Sequence, residues 1–194
     1  MANIIELEVC YVLNEDYKDI LEKIEKYGYT FNAHIIEEDT YYTDKQETFI
    51  KDRICLRTRK TNEDSLELTY KPKTDNSTEK YGKKEVNISL NVKDYKDIKF
   101  VINSLGYDEY VTFKKDRTIY TKVINGFEHN IMIDKIEGIG QYIELEIIAN
   151  TEEEKEKLHD ELDNFVRIFE CDKLVEKNKP YRDIVKEYYI KNNK

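Results

Sequence analysis

Apolar and polar residues alternate strictly over several short stretches of the chain. Ile4–Leu13 places Glu6, Glu8 and Cys10 on one face and Ile5, Leu7 and Val9 on the other, the two-residue period of a half-buried strand. Tyr29–Tyr42 is strand-like but irregular. Asp52–Lys60 alternates again, with Arg53, Cys55, Arg57 and Arg59 on one face, and Ser65–Lys73 sets Leu66, Leu68 and Tyr70 opposite Thr69, Lys71 and Lys73. Lys83–Leu90 sets Lys83, Glu85 and Asn87 against Val86 and Ile88. Tyr110–Ile124 carries Phe113, Lys115 and Arg117 on one side and runs into Asn125-Gly126, a hairpin signal. Phe127–Asp134 and Gln141–Ile148 follow, separated by a glycine-rich turn.

Four stretches carry the helical period instead. Asn14 is placed to cap a helix through Tyr27, striped by Tyr17, Ile20, Leu21 and Ile24 and stopped by Gly28. Lys93–Leu105 ends at Gly106. Thr151 opens a charged helix to about Phe169 with Glu154 in the capping-box position, and a last helix starts near Pro180. Short strands between turn signals, with a few helices and neither repeat nor linker, predict one α+β domain over residues 1–194 built on a largely antiparallel sheet.

Composition narrows the function classes. The 194 residues are 39% hydrophobic and 38% charged, with a net charge of −9, which argues against a broad nucleic-acid footprint. No apolar run approaches membrane-spanning length, so no membrane partner is expected, and the first ten residues lack a signal-peptide layout. Cys10, Cys55 and Cys171 form no CxxC pair, which fits a reduced, cytoplasmic setting better than a disulfide framework. His34, His129 and His159 have no metal-ligand spacing and read as surface or edge residues.

Charge changes the picture most where it is sorted by strand. Glu6 and Glu8 stand near one end of the sequence and Glu144 and Glu146 near the other, while Arg57, Arg59, Lys71, Lys73, Lys83, Lys115 and Arg117 lie between. Like charges at i and i+2 on one strand face stand only about 7 Å apart and repel. Such pairs make sense around a ligand that neutralises them, a polyanion for the bases and a hard divalent cation for the carboxylates. An eight-stranded antiparallel barrel, closed around an ionic lumen and covered outside by the helices, would hold both.

These residues resemble a known family. Glu6-Leu-Glu8-Val-Cys10 resembles the ExExK strand of the CYTH superfamily, the triphosphate tunnel metalloenzymes. Leu56-Arg57-Thr58-Arg59 resembles its LRxR strand, Leu68-Thr69-Tyr70-Lys71 its LTxK strand and Lys115-Asp116-Arg117 its KxR strand. Asp134 and the stretch from Glu137 to Glu146 are similar to the family's D…GxGxxxExE segment. Asp39-Thr40-Tyr41-Tyr42 and Pro180-Tyr181-Arg182-Asp183-Ile184 resemble segments of class IV adenylyl cyclase-like members. The likeness extends from Ile4 to about Ile184.

The resemblance implies a tunnel that holds ATP, thiamine triphosphate or tripolyphosphate with Mg²⁺ or Mn²⁺. It implies metal ligation by Glu6, Glu8, Asp134, Glu144 and Glu146, and phosphate binding by Arg57, Arg59, Lys71, Lys115 and Arg117. Lys73 is a further candidate on its strand face, and the family's next basic position falls at Lys83 or Lys84. Glu6, Glu8 and Lys71 are the candidate catalytic residues. One position departs: Cys10 stands where the family has the lysine of ExExK, and a thiol supplies no cation. Three functions stay open, namely triphosphate hydrolysis, class IV cyclisation of ATP, and non-catalytic binding of a nucleotide or polyphosphate. Exposed strand edges and tyrosine-rich helices leave a homodimer open as well.

Overall fold

The computed structural model describes residues 5–13, 17–73, 85–149 and 151–192. In chain order the elements are β1 (Ile5–Leu13), α1 (Lys18–Lys26), β2 (Thr30–Thr43), the short α2 (Thr48–Lys51), β3 (Cys55–Thr61), β4 (Ser65–Lys71) and β5 (Val86–Leu90). They continue with α3 (Tyr95–Ser104), β6 (Asp108–Ile124), β7 (Phe127–Ile136), β8 (Gly140–Ala149), α4 (Glu152–Ile168), β9 (Val175–Glu176) and α5 (Tyr181–Asn192). The α+β, antiparallel expectation stands. No described helix is long and apolar enough to cross a membrane.

The closed eight-stranded barrel is corrected. Among the described residues the sheet has nine strands in the order β5-β4-β3-β2-β6-β7-β8-β1-β9, and no hydrogen bonds there close it from one end of that order to the other. The extra strand, β9, is only two residues long and pairs with Tyr11 and Val12 along the outer edge of β1. Sorting of charge onto one face fixes which way side chains point. It carries no information on whether the terminal strands' backbone groups meet, and this is why the pattern overreached.

The chain divides into two compact units, residues 5–34 and 116–178 in the first and residues 35–73, 85–115 and 179–192 in the second. The first is a β1–β8–β7 sheet carrying α1 and α4 on its apolar face. Leu7, Ile131, Ile143, Leu145 and Ile147 from the strands meet Ile24, Leu158, Leu162, Phe165 and Phe169 from the helices in one buried cluster. Each such side chain contributes roughly 1.5–3 kcal/mol on burial, so the apolar half of the alternation is what fixes the register of the polar half. The Thr151 hydroxyl caps α4 by accepting from the Glu154 amide at 3.1 Å, as its sequence signature predicts. Helix α1 begins at Lys18 without a side-chain cap, and Asn14 lies outside the described residues.

His129 is a second departure, since it is only 2% exposed rather than superficial. It shares the parity of Ile131 and Ile133 on β7, which turns its ring onto Phe165 of α4. Burial, with the charge of Lys122, lowers its pKa to about 4 and keeps it neutral.

In the second unit β2, β3, β4 and β5 pair in antiparallel succession. Tyr42 is buried with its hydroxyl 2.9 Å from that of Thr58, and Tyr41 stacks on Phe113. Arg53, read as part of a strand, lies in the turn before β3 with φ of 55°. From α5, the buried Arg182 donates to the Ile54 carbonyl at 2.5 Å and so fixes the entry into β3.

Candidate functional site

Strand pairing in the first unit lines up the polar half of the alternation. Glu8 lies opposite Glu146 and Cys10 opposite Glu144 across β1 and β8; Asn130 lies opposite Glu146 and Met132 opposite Glu144 across β7 and β8; Arg117 lies opposite Asp134 across β6 and β7. Residues directly opposite on antiparallel strands share a face. Glu6, Glu8, Cys10, Arg117, Asp134, Glu144 and Glu146 therefore stand on one face, with the apolar core on the other.

The five expected metal ligands fall into two sets. Glu6, Glu8 and Glu146 converge, each offering a carboxylate oxygen within 4.8 Å of the others. Asp134 and Glu144 instead meet Arg117. Asp134 is fully buried and both its oxygens accept from that guanidinium, Oδ1 from Nε at 2.6 Å and Oδ2 from Nη2 at 2.7 Å. Glu144 Oε2 accepts from the same Nη2 at 3.3 Å.

Glu146 carries the electrostatic signature of the crowded set. Burial raises its pKa, a 3.0 Å hydrogen bond from Asn130 opposes the rise, and the charges of Glu144 and Glu8 add to it, for a value of about 7. Asn130 is held in turn by the Thr121 hydroxyl, which donates to its Oδ1 at 2.7 Å. Asn130 escaped the sequence reading, although its parity on β7 places it opposite Glu146.

The second unit gathers bases, and here the sequence reading missed their counter-charges. Arg59 donates to both oxygens of Asp39, at 2.6 and 2.8 Å, and to Glu37 at 2.7 Å. Arg57 donates to the Thr69 hydroxyl at 3.0 Å and lies 3.7 Å from Asp39 and 3.9 Å from both Glu67 and Glu85. Lys71 pairs with Glu85 at 2.5 Å, and the buried Lys115 with Glu37 at 2.9 Å. Glu37 and Asp39 occur at i and i+2 on β2, so the period that sorted the bases could have found them.

Electrostatics in this unit runs opposite to that at Glu146. Burial works to raise the Asp39 pKa, but the charges of Arg59 and Arg57 and the Arg59 hydrogen bonds outweigh it and hold the carboxyl well below its usual range. Glu85 is likewise held low against burial by Lys71 and Arg57. The buried Arg57 Nε meets no hydrogen-bond acceptor among the described residues, an expensive state for a donor. Lys73 does not join this group; it is exposed and pairs with Asp52 at 2.7 Å. Lys83 and Lys84 lie outside the described residues.

Comparisons with known proteins agree with one another. A family model described as the CYTH domain matches residues 4–176. A Methanocaldococcus jannaschii protein named a putative adenylate cyclase is 30% identical over 160 residues, spanning 81% of this chain and 85% of that protein. A solved protein of Pyrococcus horikoshii superposes with a TM-score of 0.73 at 25% identity, covering 94% of this chain and 99% of its own. A Hippeastrum protein, named a putative adenylyl cyclase with a dominant triphosphatase activity, shares the fold with a TM-score of 0.65 at 12% identity, covering 95% and 96% of the two chains.

Proposed function

The chain belongs to the CYTH domain family, and from that premise we propose that it is a divalent-cation-dependent enzyme that hydrolyses a triphosphate-containing small molecule. The observation that carries this reading is the meeting of Glu6, Glu8 and Glu146, brought together from opposite ends of the sequence by the β1–β8 pairing. The donor set fits Mg²⁺ or Mn²⁺. Octahedral ligands at about 2.1 Å stand roughly 3–4 Å from one another, so oxygens within 4.8 Å need only small side-chain rotations to close on an ion. A divalent cation held there supplies positive charge against the phosphate oxygens during transfer.

The bases of the second unit take the other share of the chemistry. Arg57, Arg59, Lys71 and Lys115 bind phosphate oxygens, with the buried Arg57 Nε as the donor most in want of one. Their paired carboxylates hold the forks in place before the anion arrives, so little reordering is needed on binding. Hydrolysis asks for a cation site and a phosphate clamp; the convergence of Glu6, Glu8 and Glu146 supports the first and the grouping of Arg57, Arg59, Lys71 and Lys115 the second. Cyclisation of ATP, in which the ribose 3′-oxygen attacks the α-phosphorus and pyrophosphate leaves, is the second reading, favoured by the name of the Methanocaldococcus relative.

The test is incubation with Mg²⁺ or Mn²⁺ and, in turn, tripolyphosphate, thiamine triphosphate and ATP. Metal-dependent release of orthophosphate supports hydrolysis, and cyclic AMP with pyrophosphate selects the second reading. Binding without turnover would leave a nucleotide- or polyphosphate-binding module, the role suggested by Cys10 in place of a lysine.

A further inference from the structure

Resting on that reading, we propose that Asn130 is a positioning residue, which holds the Glu146 carboxylate toward Glu6 and Glu8 for the cation. Asn130 is buried on β7, 7% exposed, and lies directly opposite Glu146 on β8. Its Nδ2 donates to Glu146 Oε1 at 3.0 Å and to Glu128 Oε1 at 2.9 Å. Its Oδ1 accepts from the Thr121 hydroxyl at 2.7 Å. Thr121 Oγ1 accepts in turn from Asn32 Nδ2 at 3.0 Å, so the single hydroxyl proton is the one given to Asn130. The donors run in one direction, from β2 through β6 and β7 to the carboxylate on β8.

The charges explain why such a hold is needed. Glu8 is directly opposite Glu146, and with Glu6 their carboxylate oxygens lie within 4.8 Å of one another. Carboxylates this close repel, and a glutamate side chain has three torsions through which it can turn away. The bond from Asn130 restrains that turn, and Thr121 restrains Asn130. A lysine in the same place would restrain Glu146 as well, but its charge would cancel the field that attracts a cation. A carboxamide donates its hydrogen and adds no charge. Partners that stand behind a metal ligand in this way set affinity without touching the ion.

Calorimetry on the full chain, with Mn²⁺ and, separately, with tripolyphosphate in EDTA, tests this role. Asn130→Ala is expected to weaken Mn²⁺ binding about tenfold or more and to change tripolyphosphate affinity less than about twofold. Thr121→Val keeps the shape of the side chain but frees the amide to swing, and should cost about threefold to tenfold in Mn²⁺ affinity. Thr121→Ser, which keeps the hydroxyl, should bind Mn²⁺ as the wild type does; this pair also serves if Asn130→Ala does not fold. In the Glu146→Gln background, Asn130→Ala should add little further loss, the non-additivity of two residues acting through one ligand. Wild-type Mn²⁺ affinity in both Asn130→Ala and Thr121→Val, or an equal loss from Asn130→Ala with and without Glu146→Gln, would overturn the positioning role and leave the cation site standing. Unchanged Mn²⁺ affinity in Glu146→Gln alone would instead remove the cation site, and the positioning role with it.

Discussion

The two units treat charge in opposite ways. In the first, Glu6, Glu8 and Glu146 are crowded together, and burial with neighbouring negative charge pushes Glu146 up to about 7. In the second, the grouped bases are paired with acids: Arg59 with Asp39 and Glu37, Lys71 with Glu85, Lys115 with Glu37. The crowded unit sets carboxylates against one another, the arrangement on which the proposed cation site rests. The matched unit holds its bases in place by ion pairs, the arrangement on which the proposed phosphate clamp rests. Alternating strands built both, so the difference lies in which residues the alternation brings opposite one another: acid meets acid at Glu8 and Glu146, whereas Arg59 meets Asp39.

Removing one carboxylate from each unit should therefore have opposite effects on stability. Asp39→Asn leaves the buried Arg57 and the half-buried Arg59 without their main counter-charge and is expected to destabilise the protein by about 3–5 kcal/mol, read as a lower denaturation midpoint. Glu146→Gln relieves repulsion and should stabilise the cation-free protein by roughly 1–3 kcal/mol, measured in EDTA. Equal and same-sign shifts in the two variants would erase the contrast.

A test of turnover comes next in size. Cys10 lies opposite Glu144 on the carboxylate face, where the family likeness expects a lysine. Restoring that cation by Cys10→Lys should raise the rate of triphosphate turnover about 10²-fold, by analogy with one preorganised donor, while changing tripolyphosphate affinity less. An unchanged rate in a folded but inactive protein would remove Cys10 as the cause.

The smallest effect is the pH dependence, and its sign differs between the units. Glu146 titrates near 7 when folded but near 4.5 when unfolded, so the unfolded chain sheds its proton first. Stability of the cation-free protein should then fall as pH rises from about 4.5 to about 7. Asp39 and Glu85 are held low when folded, so the unfolded chain takes up protons first and stability falls on acidification below their ordinary range. Melting curves in EDTA across this range should show both limbs. Mn²⁺ should abolish the upper limb alone.

Much of this contrast was legible in the sequence, and the limits have physical causes. Glu6, Glu8, Cys10, Glu144 and Glu146 were placed on one face because a buried apolar half fixes strand parity, and the register bears that out. The same parity would have exposed Asn130 behind Glu146 and the burial of His129. Counter-charges such as Glu37 and Glu67 share the parity of their strand's polar face, but which acid meets which base across β2, β3 and β4 depends on register between strands rather than on any one strand. Closure of the sheet was not legible at all: β9, two residues on the edge of β1, has no periodicity to read. The meeting of Asp134 and Glu144 with Arg117 likewise needed the pairing of β6 with β7.

The most direct measurement is a pair of calorimetric titrations on wild type, Glu146→Gln and Arg57→Ala, one with Mn²⁺ alone and one with tripolyphosphate in EDTA. Glu146→Gln is expected to lose Mn²⁺ affinity by about 100-fold, the upper range for perturbing a metal site, and to keep its tripolyphosphate affinity. Arg57→Ala should do the reverse, losing the anion and keeping the cation. Wild-type Mn²⁺ binding by Glu146→Gln, or parallel losses of both ligands in both variants, would contradict a division of cation and anion between the two units.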